Sequence, residues 1–237
     1  MNNCEEGRRE ESQPSAESVR LQEQFARLAG GLAHDFNNVL TVISGQCSLL
    51  MDELRGRPEA ERLGEIQKAV ERGAVLTGRL LALSPHRTAQ PPAGEGAAAE
   101  NVTPGTTGTL LVVEDEPDLR KLLVAVLSGA GYRVLEAANS EEALQFARES
   151  RIDLLLADVM LPGLSGPQLA ERLRGIRGGM RVMYMSGSGR EGAAGHWLAG
   201  AEFIAKPFTP KELLAAIAAA LGDQTRAAGG NSGYATA

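Results

Sequence analysis

Only two cysteines, Cys4 and Cys47, occur in 237 residues. One lies in a polar stretch and the other in a segment of helical pattern, so neither a disulfide framework nor a cysteine metal cluster is expected, and a reducing, cytoplasmic setting is. Aromatic residues make up 4% of the chain, too few for a base-stacking surface. Basic runs are absent and the net charge is -6, which argues against nucleic acid as a direct partner. The longest charge-free stretch, Phe36 to Met51, is broken by Asn, Thr, Ser, Gly and Gln. It falls short of the roughly 20 apolar residues that span a bilayer, and the N-terminus shows no basic-then-apolar leader, so no membrane insertion is expected.

What is present suggests two folded units, a medium core and a smaller one, since 43% of the residues are hydrophobic. Residues 1–16 are polar, without apolar periodicity, and read as a mobile tail. Residues 17–84 read as a helical hairpin. In its first helix Phe25, Ala29, Leu32, Phe36, Val39, Ile43, Cys47, Leu50 and Leu54 recur at steps of three and four, an apolar stripe along about 57 Å. Gly56 and Pro58 interrupt the pattern, and a second stripe runs through Leu63, Ile66, Val70, Gly73, Thr77 and Leu80. Two helices leave much of such stripes in water. Pairing with a second copy into a four-helix bundle would cover them, so a homodimer is expected.

Residues 85–108 hold four prolines and several Gly and Ala without apolar period, and read as a linker. As a flexible coil it would span roughly 27 Å. Beyond it, short apolar strands alternate with helical segments: Thr109 to Val113, Arg133 to Ala137, Ile152 to Ala157, Arg181 to Met185 and Glu202 to Ile204. That alternation predicts a doubly wound α/β unit over 109–222, a five-stranded parallel sheet with helices on both faces. Thr209, Pro210 and Glu212 form a capping box at the last helix, and residues 223–237 read as a second tail.

In such a sheet the carboxyl ends of the strands share one edge, which would gather Glu114, Asp115 and Asp158. Converging carboxylates repel, and a hard divalent cation such as magnesium relieves the repulsion. Ser186 could donate a hydrogen bond there, and Lys206 could pair with a bound phosphoryl group. These motifs, Glu114-Asp115, Asp158-Val159-Met160-Leu161-Pro162, Ser186-Gly187 and Lys206-Pro207, resemble those of the response regulator receiver domain, of flavodoxin-like fold, across about residues 109–222. The resemblance implies that Asp158 is the phosphoacceptor and that Asp115, Asp158 and the Met160 carbonyl hold Mg2+, with Glu114 assisting through water. It further implies a cis peptide before Pro207, and a switch in which Ser186 and Phe203 respond to phosphorylation.

His34 is two residues from both Leu32 and Phe36, about 200° around the helix from each, and is expected to face solvent. Asn38 lies one turn later on the same face, to orient the ring or its partner. Asp35 is adjacent and could accept a proton from one ring nitrogen, freeing the other as nucleophile. The run Leu28 to Ile43, with His34-Asp35-Phe36-Asn37-Asn38 at its centre, resembles the phosphoacceptor box of HDFNN-type sensor histidine kinases. Glu71 to Ala74 and Leu76 to Ala82 resemble the second helix of the same dimerisation and histidine phosphotransfer domain. The chain therefore resembles a hybrid histidine kinase without its ATP-binding domain, because the 24 residues of 85–108 are fewer than the roughly 50 of a small domain.

By this resemblance the chain is of the histidine kinase family yet unable to phosphorylate itself from ATP alone. The expected function is phosphorelay: His34 takes a phosphoryl group from a separate kinase or receiver and exchanges it with Asp158, with Lys206 stabilising the transferring oxygens. Two alternatives use the same parts. One is a phosphatase or phosphate sink, with Asn38 positioning water; the other is a non-enzymatic dimeric adaptor with a switched docking surface.

Overall fold

The computed structural model describes residues 16–82, 108–176, 178–187 and 202–228. The expected tails over 1–15 and 229–237, and the expected linker up to residue 107, lie outside the described residues.

Helices α1 (Ala16–Glu53) and α2 (Pro58–Ala82) fold back on each other as the stripes predicted. Between them the chain turns through Gly56, whose φ of 84° is open to glycine and strained for other residues. The Gln67 amide donates to Ser44 Oγ at 2.7 Å, and Gly73 leaves room for Leu40. Ala29, Ala33, Cys47 and Val70 are buried. Much of the predicted α1 stripe is not: Phe25, Leu32, Phe36, Val39, Ile43 and Leu50 stay exposed. A single hairpin can cover only one side of each helix, and α2 takes the neighbouring side of α1.

The second unit comprises β1 (Thr109–Val113), α3 (Pro117–Gly129), β2 (Arg133–Ala137), α4 (Ser140–Glu149), β3 (Leu154–Asp158), α5 (Gly166–Ile176), β4 (Arg181–Ser186), β5 (Glu202–Ala205) and α6 (Pro210–Ala228). The sheet is parallel throughout, in the order β2-β1-β3-β4-β5. Strand alternation divides the core. Leu110, Val112, Leu154 and Leu156 point to α3 and α6, whereas Leu111, Val113, Leu155 and Ala157 point to α4 and α5. A leucine buried in this way contributes about 1.5–3 kcal/mol.

Several boundaries differ from expectation: α1 begins at Ala16, inside the expected tail, and β4 and β5 each run one residue further, to Ser186 and Ala205. Strand β3 begins at Leu154 and runs to Asp158, and α6 continues to Ala228, past the tail expected from residue 223. The α6 capping box forms: the Thr209 backbone N–H donates to Glu212 Oε2 at 2.8 Å, and the Glu212 N–H returns to Thr209 Oγ1 at 3.3 Å. The Lys206–Pro207 peptide is cis.

The two units are docked. Val42 and Leu49 of α1 pack against the core cluster that contains Leu122 of α3, so the hairpin lies across the sheet edge where the strands end.

Candidate functional site

Strand register builds the site. Val113 is level with both Ala137 and Ala157, Asp158 with Met185, and Ser186 with Ala205, so Glu114, Asp158, Ser186 and Lys206 end their strands on one edge. All four are buried. Gly166 opens α5 so close to this edge that an added Cβ would collide with the Asp158 carbonyl oxygen.

Lys206 organises the charges. Its Nζ donates to Glu114 Oε2 at 2.9 Å, to Asp158 Oδ2, and to Asn38 Oδ1 of α1 at 2.8 Å. The remaining Asp158 oxygen, Oδ1, accepts from the Met160 backbone N–H at 2.8 Å. Burial pushes the Glu114 carboxyl up to about 7, against the pull of Lys206 and with a further push from Asp158. Burial alone would lower the Lys206 ammonium; Asp158 and Glu114 outweigh it and hold the group above its ordinary value. Arg120 steadies the turn after β1, donating to the carbonyls of Glu114 at 2.7 Å and Asp115 at 3.3 Å.

His34 is not solvent-facing as predicted. Its side chain is 16% exposed, and Nε2 stands 4.0 Å from Asp158 Oδ2. The reason is tertiary: the helix face that points away from α2 is the one the second unit covers. Asn38 bridges the two, with Nδ2 at 3.1 Å from His34 Nε2 while its Oδ1 faces Lys206. Because an ammonium only donates, the amide oxygen must face Lys206, and the amide N–H is left to donate to Nε2. That assigns the neutral ring with its proton on Nδ1. Asp35 lies on the exposed side, bordering a cavity of about 260 Å³ with Glu116 and Asp118, and no hydrogen bond joins it to the imidazole.

Of the expected magnesium ligands, Glu114 and Asp158 are drawn onto Lys206, and among the described residues no group of three or more His, Cys, Asp or Glu is arranged to hold a metal. The residues nevertheless suit a hard cation. Asp115 Oδ1 is buried without a hydrogen-bond partner, the condition a divalent ion relieves. The Met160 side chain is exposed, leaving the backbone of that residue as the part that faces the site. Phe203 is half-buried with its ring centroid 5.5 Å from that of Tyr184, and Ser186 is buried at the end of the adjoining strand.

Sequence reasoning missed Asn37, which is buried and donates to the Gly187 carbonyl at 2.6 Å. A signal existed. His34, Asn38, Thr41, Val42, Gly45 and Leu49 share a helix face without charge, which an open, hydrated surface would not require.

Buried acids at the strand ends, a lysine after β5 and the 2-1-3-4-5 sheet coincide with a family match to the response regulator receiver domain over residues 110–218. Residues 110–218 are a response regulator receiver domain. The receiver domain is 36% identical over 117 residues to the phosphate regulon transcriptional regulatory protein PhoB of Pseudomonas aeruginosa, covering 48% of this chain and 51% of that protein. The DNA-binding response regulator MtrA of Mycolicibacterium smegmatis is 37% identical over 113 residues, covering 47% and 50%. A solved receiver domain from the hybrid histidine kinase CckA is 40% identical, covering 48% of this chain and 99% of that one, with a TM-score of 0.42. The chain spans about half the length of the curated relatives it matches. A receiver domain works in two-component signalling by phosphorylation of an aspartate. No helix among the described residues is long and apolar enough to cross a membrane.

Proposed function

We propose that this chain is a phosphorelay protein in which His34 accepts a phosphoryl group from a separate kinase or receiver and exchanges it with Asp158 of its own receiver domain. The observation that carries this reading is the separation of 4.0 Å between His34 Nε2 and Asp158 Oδ2 in a largely water-excluded site. A helical histidine that served only as a surface residue would have no reason to meet the acceptor aspartate.

In the transfer step an Asp158 oxygen attacks phosphorus, the O–P bond forms as the N–P bond breaks, and the electron pair returns to Nε2. A proton on Nδ1 makes the leaving group a neutral imidazole. Lys206 offsets charge on the transferring oxygens, and the Asn38 amide, now on Nε2, must turn away when that nitrogen carries phosphorus. Room for phosphorus requires the hairpin to back off by on the order of 1 Å. Asp115, Asp158 and the Met160 carbonyl, with Glu114, would hold magnesium, which when bound neutralises phosphoryl charge. In this reading the Ser186 hydroxyl and the Phe203 ring respond to phosphorylation of Asp158.

Eight exposed apolar residues of α1, the six named above with Leu21 and Leu28, form a stripe within about 40° of Leu32, and only Val39 and Ile43 among them border the receiver, across the cavity beside Glu116 and Asp118. A second copy packed on this stripe completes a four-helix bundle, giving a homodimer. A second use of the site is favoured by Asn38, whose amide is buried between His34 and Lys206: it could position water against phosphorylated Asp158, making the protein a phosphate sink.

The test is labelled ATP with wild type, His34→Ala and Asp158→Ala, with and without a candidate donor kinase. Relay gives an acid-labile, base-stable adduct in Asp158→Ala and a base-labile adduct in wild type that His34→Ala lacks. Equal labelling of Asp158 in His34→Ala overturns it. Labelling of purified wild type from ATP alone would overturn the requirement for a separate donor.

A further inference from the structure

Two residues at the docking surface lack a side chain where the opposing unit inserts one. A Cβ built on Gly45, towards the C-terminal end of α1, collides with Leu122 Cδ2 and comes within 3.1 Å of Cδ1 and 3.2 Å of Cγ. Leu122, on α3 of the receiver, is 5% exposed in the docked chain and belongs to the core cluster against which Val42 and Leu49 of α1 also pack, so an added Cβ must displace either its side chain or α1. On the other side of the site the roles reverse. A Cβ on Gly187, just after β4, would lie 2.8 Å from Asn37 Nδ2 and 3.2 Å from Asn37 Cβ. Asn37 is buried and donates to the Gly187 carbonyl at 2.6 Å.

Neither glycine has a positive φ, so backbone conformation does not demand it. Gly45 moreover weakens the helix in which it stands. What both positions require is an absent Cβ. Residues 37 and 45 lie on α1 to either side of Thr41, and His34 and Asn38, which reach the acceptor aspartate and its lysine, share that face. Overpacking a seam of this kind is unfavourable because well-packed side chains cannot relax.

We infer that the Gly45–Leu122 and Asn37–Gly187 contacts are a reciprocal steric lock that positions this receiver on its own helix α1 and excludes receivers carrying a differently shaped residue at either place. Leu122 and Gly45 are thus specificity-determining residues, and Asn37 a positioning residue that sets the height of α1 above the sheet edge. The lock's use in selecting a phosphotransfer partner rests on the relay reading above; the lock itself does not.

The experiment uses the full chain and reads docking without phosphorus. Diethyl pyrocarbonate is applied, and the rate of His34 modification is followed by mass spectrometry in wild type, Gly45→Leu, the exchanged pair Gly45→Leu with Leu122→Ala, and Gly187→Val. Leucine is a better helix former than glycine, so Gly45→Leu keeps the hairpin folded. The lock predicts His34 modification at least about tenfold faster in Gly45→Leu and in Gly187→Val, equivalent to about 1.4 kcal/mol of docking free energy. The exchanged pair is expected to return to within about threefold of wild type, because the new leucine fills the space the old one left. Unchanged shielding of His34 in both single variants overturns the lock, as does an exchanged pair that stays open while its receiver melts cooperatively. If shielding follows the lock but no variant passes phosphorus from His34 to Asp158, the lock stands and the relay reading falls.

Discussion

Lys206 brings one positive charge to two buried carboxylates, and at the scale of single residues that imbalance governs how the site responds to pH and to substitution. Replacing it by methionine leaves Glu114 and Asp158 facing each other without a cation. The expected loss is about 3 kcal/mol in urea unfolding at pH 8 in the presence of a chelator. The loss should shrink at pH 5, where Glu114 takes up a proton. Wild type itself should show a related trend. Burial lifts Glu114 from an ordinary 4.5 to about 7, so the folded state holds a proton that the unfolded state releases. Stability is therefore fully present below about pH 4.5 and declines as pH rises towards 7. Glu114→Gln should flatten that decline in chelator, and millimolar magnesium should reduce it in wild type; a decline that survives Glu114→Gln assigns it to another group. Glu114, Asp158 and Lys206 were legible because each stands at or just after the end of a strand, where the topology dictates. The pairing of Asn38 with both Lys206 and His34 was not, since it joins side chains 168 residues apart.

At the scale of elements, α1 presents three distinct faces. Taking about 100° per residue, Ala29, Ala33 and Cys47 face α2, His34, Asn38, Gly45 and Leu49 face the receiver, and Phe25, Leu32 and Phe36 face neither. The apolar period revealed the last of these most strongly, because it is the most hydrophobic. In the proposed homodimer a second copy would cover it. Phe36→Ser should raise the dimer dissociation constant by roughly tenfold or more, as judged by sedimentation equilibrium, given about 1.5–3 kcal/mol for burying a phenylalanine. A wild type that sediments as a monomer at all concentrations would remove the bundle from the account. The face against the receiver escaped notice because its residues are small or polar, and such residues cover a docking surface as readily as they line water. Where local chemistry was complete within a few residues, as in the Thr209–Glu212 box, the expectation held to the residue.

At the scale of the whole molecule, the receiver rests on the hairpin of the same chain, so the proposed phosphoryl exchange would be intramolecular. Mixing His34→Ala with Asp158→Ala chains should then yield far less base-labile label than wild type, even in mixed dimers, and the wild-type transfer rate should not change on dilution. Full restoration by mixing would show that exchange crosses between copies. The effective concentration of tethered sites, up to roughly millimolar, sets the advantage over a free receiver. Sequence alone determined the two units, the parallel sheet and the identity of the strand-end acids, because apolar period and turn residues act over a few positions and the right-handed crossover rule does the rest. Only the tertiary structure decided which face of α1 meets the receiver, that His34 is shielded, and that Lys206 lies between the carboxylates. Those outcomes depend on the fit of two surfaces remote in sequence, and steric complementarity of that kind leaves along the chain only the uncharged face of α1, which does not say what covers it.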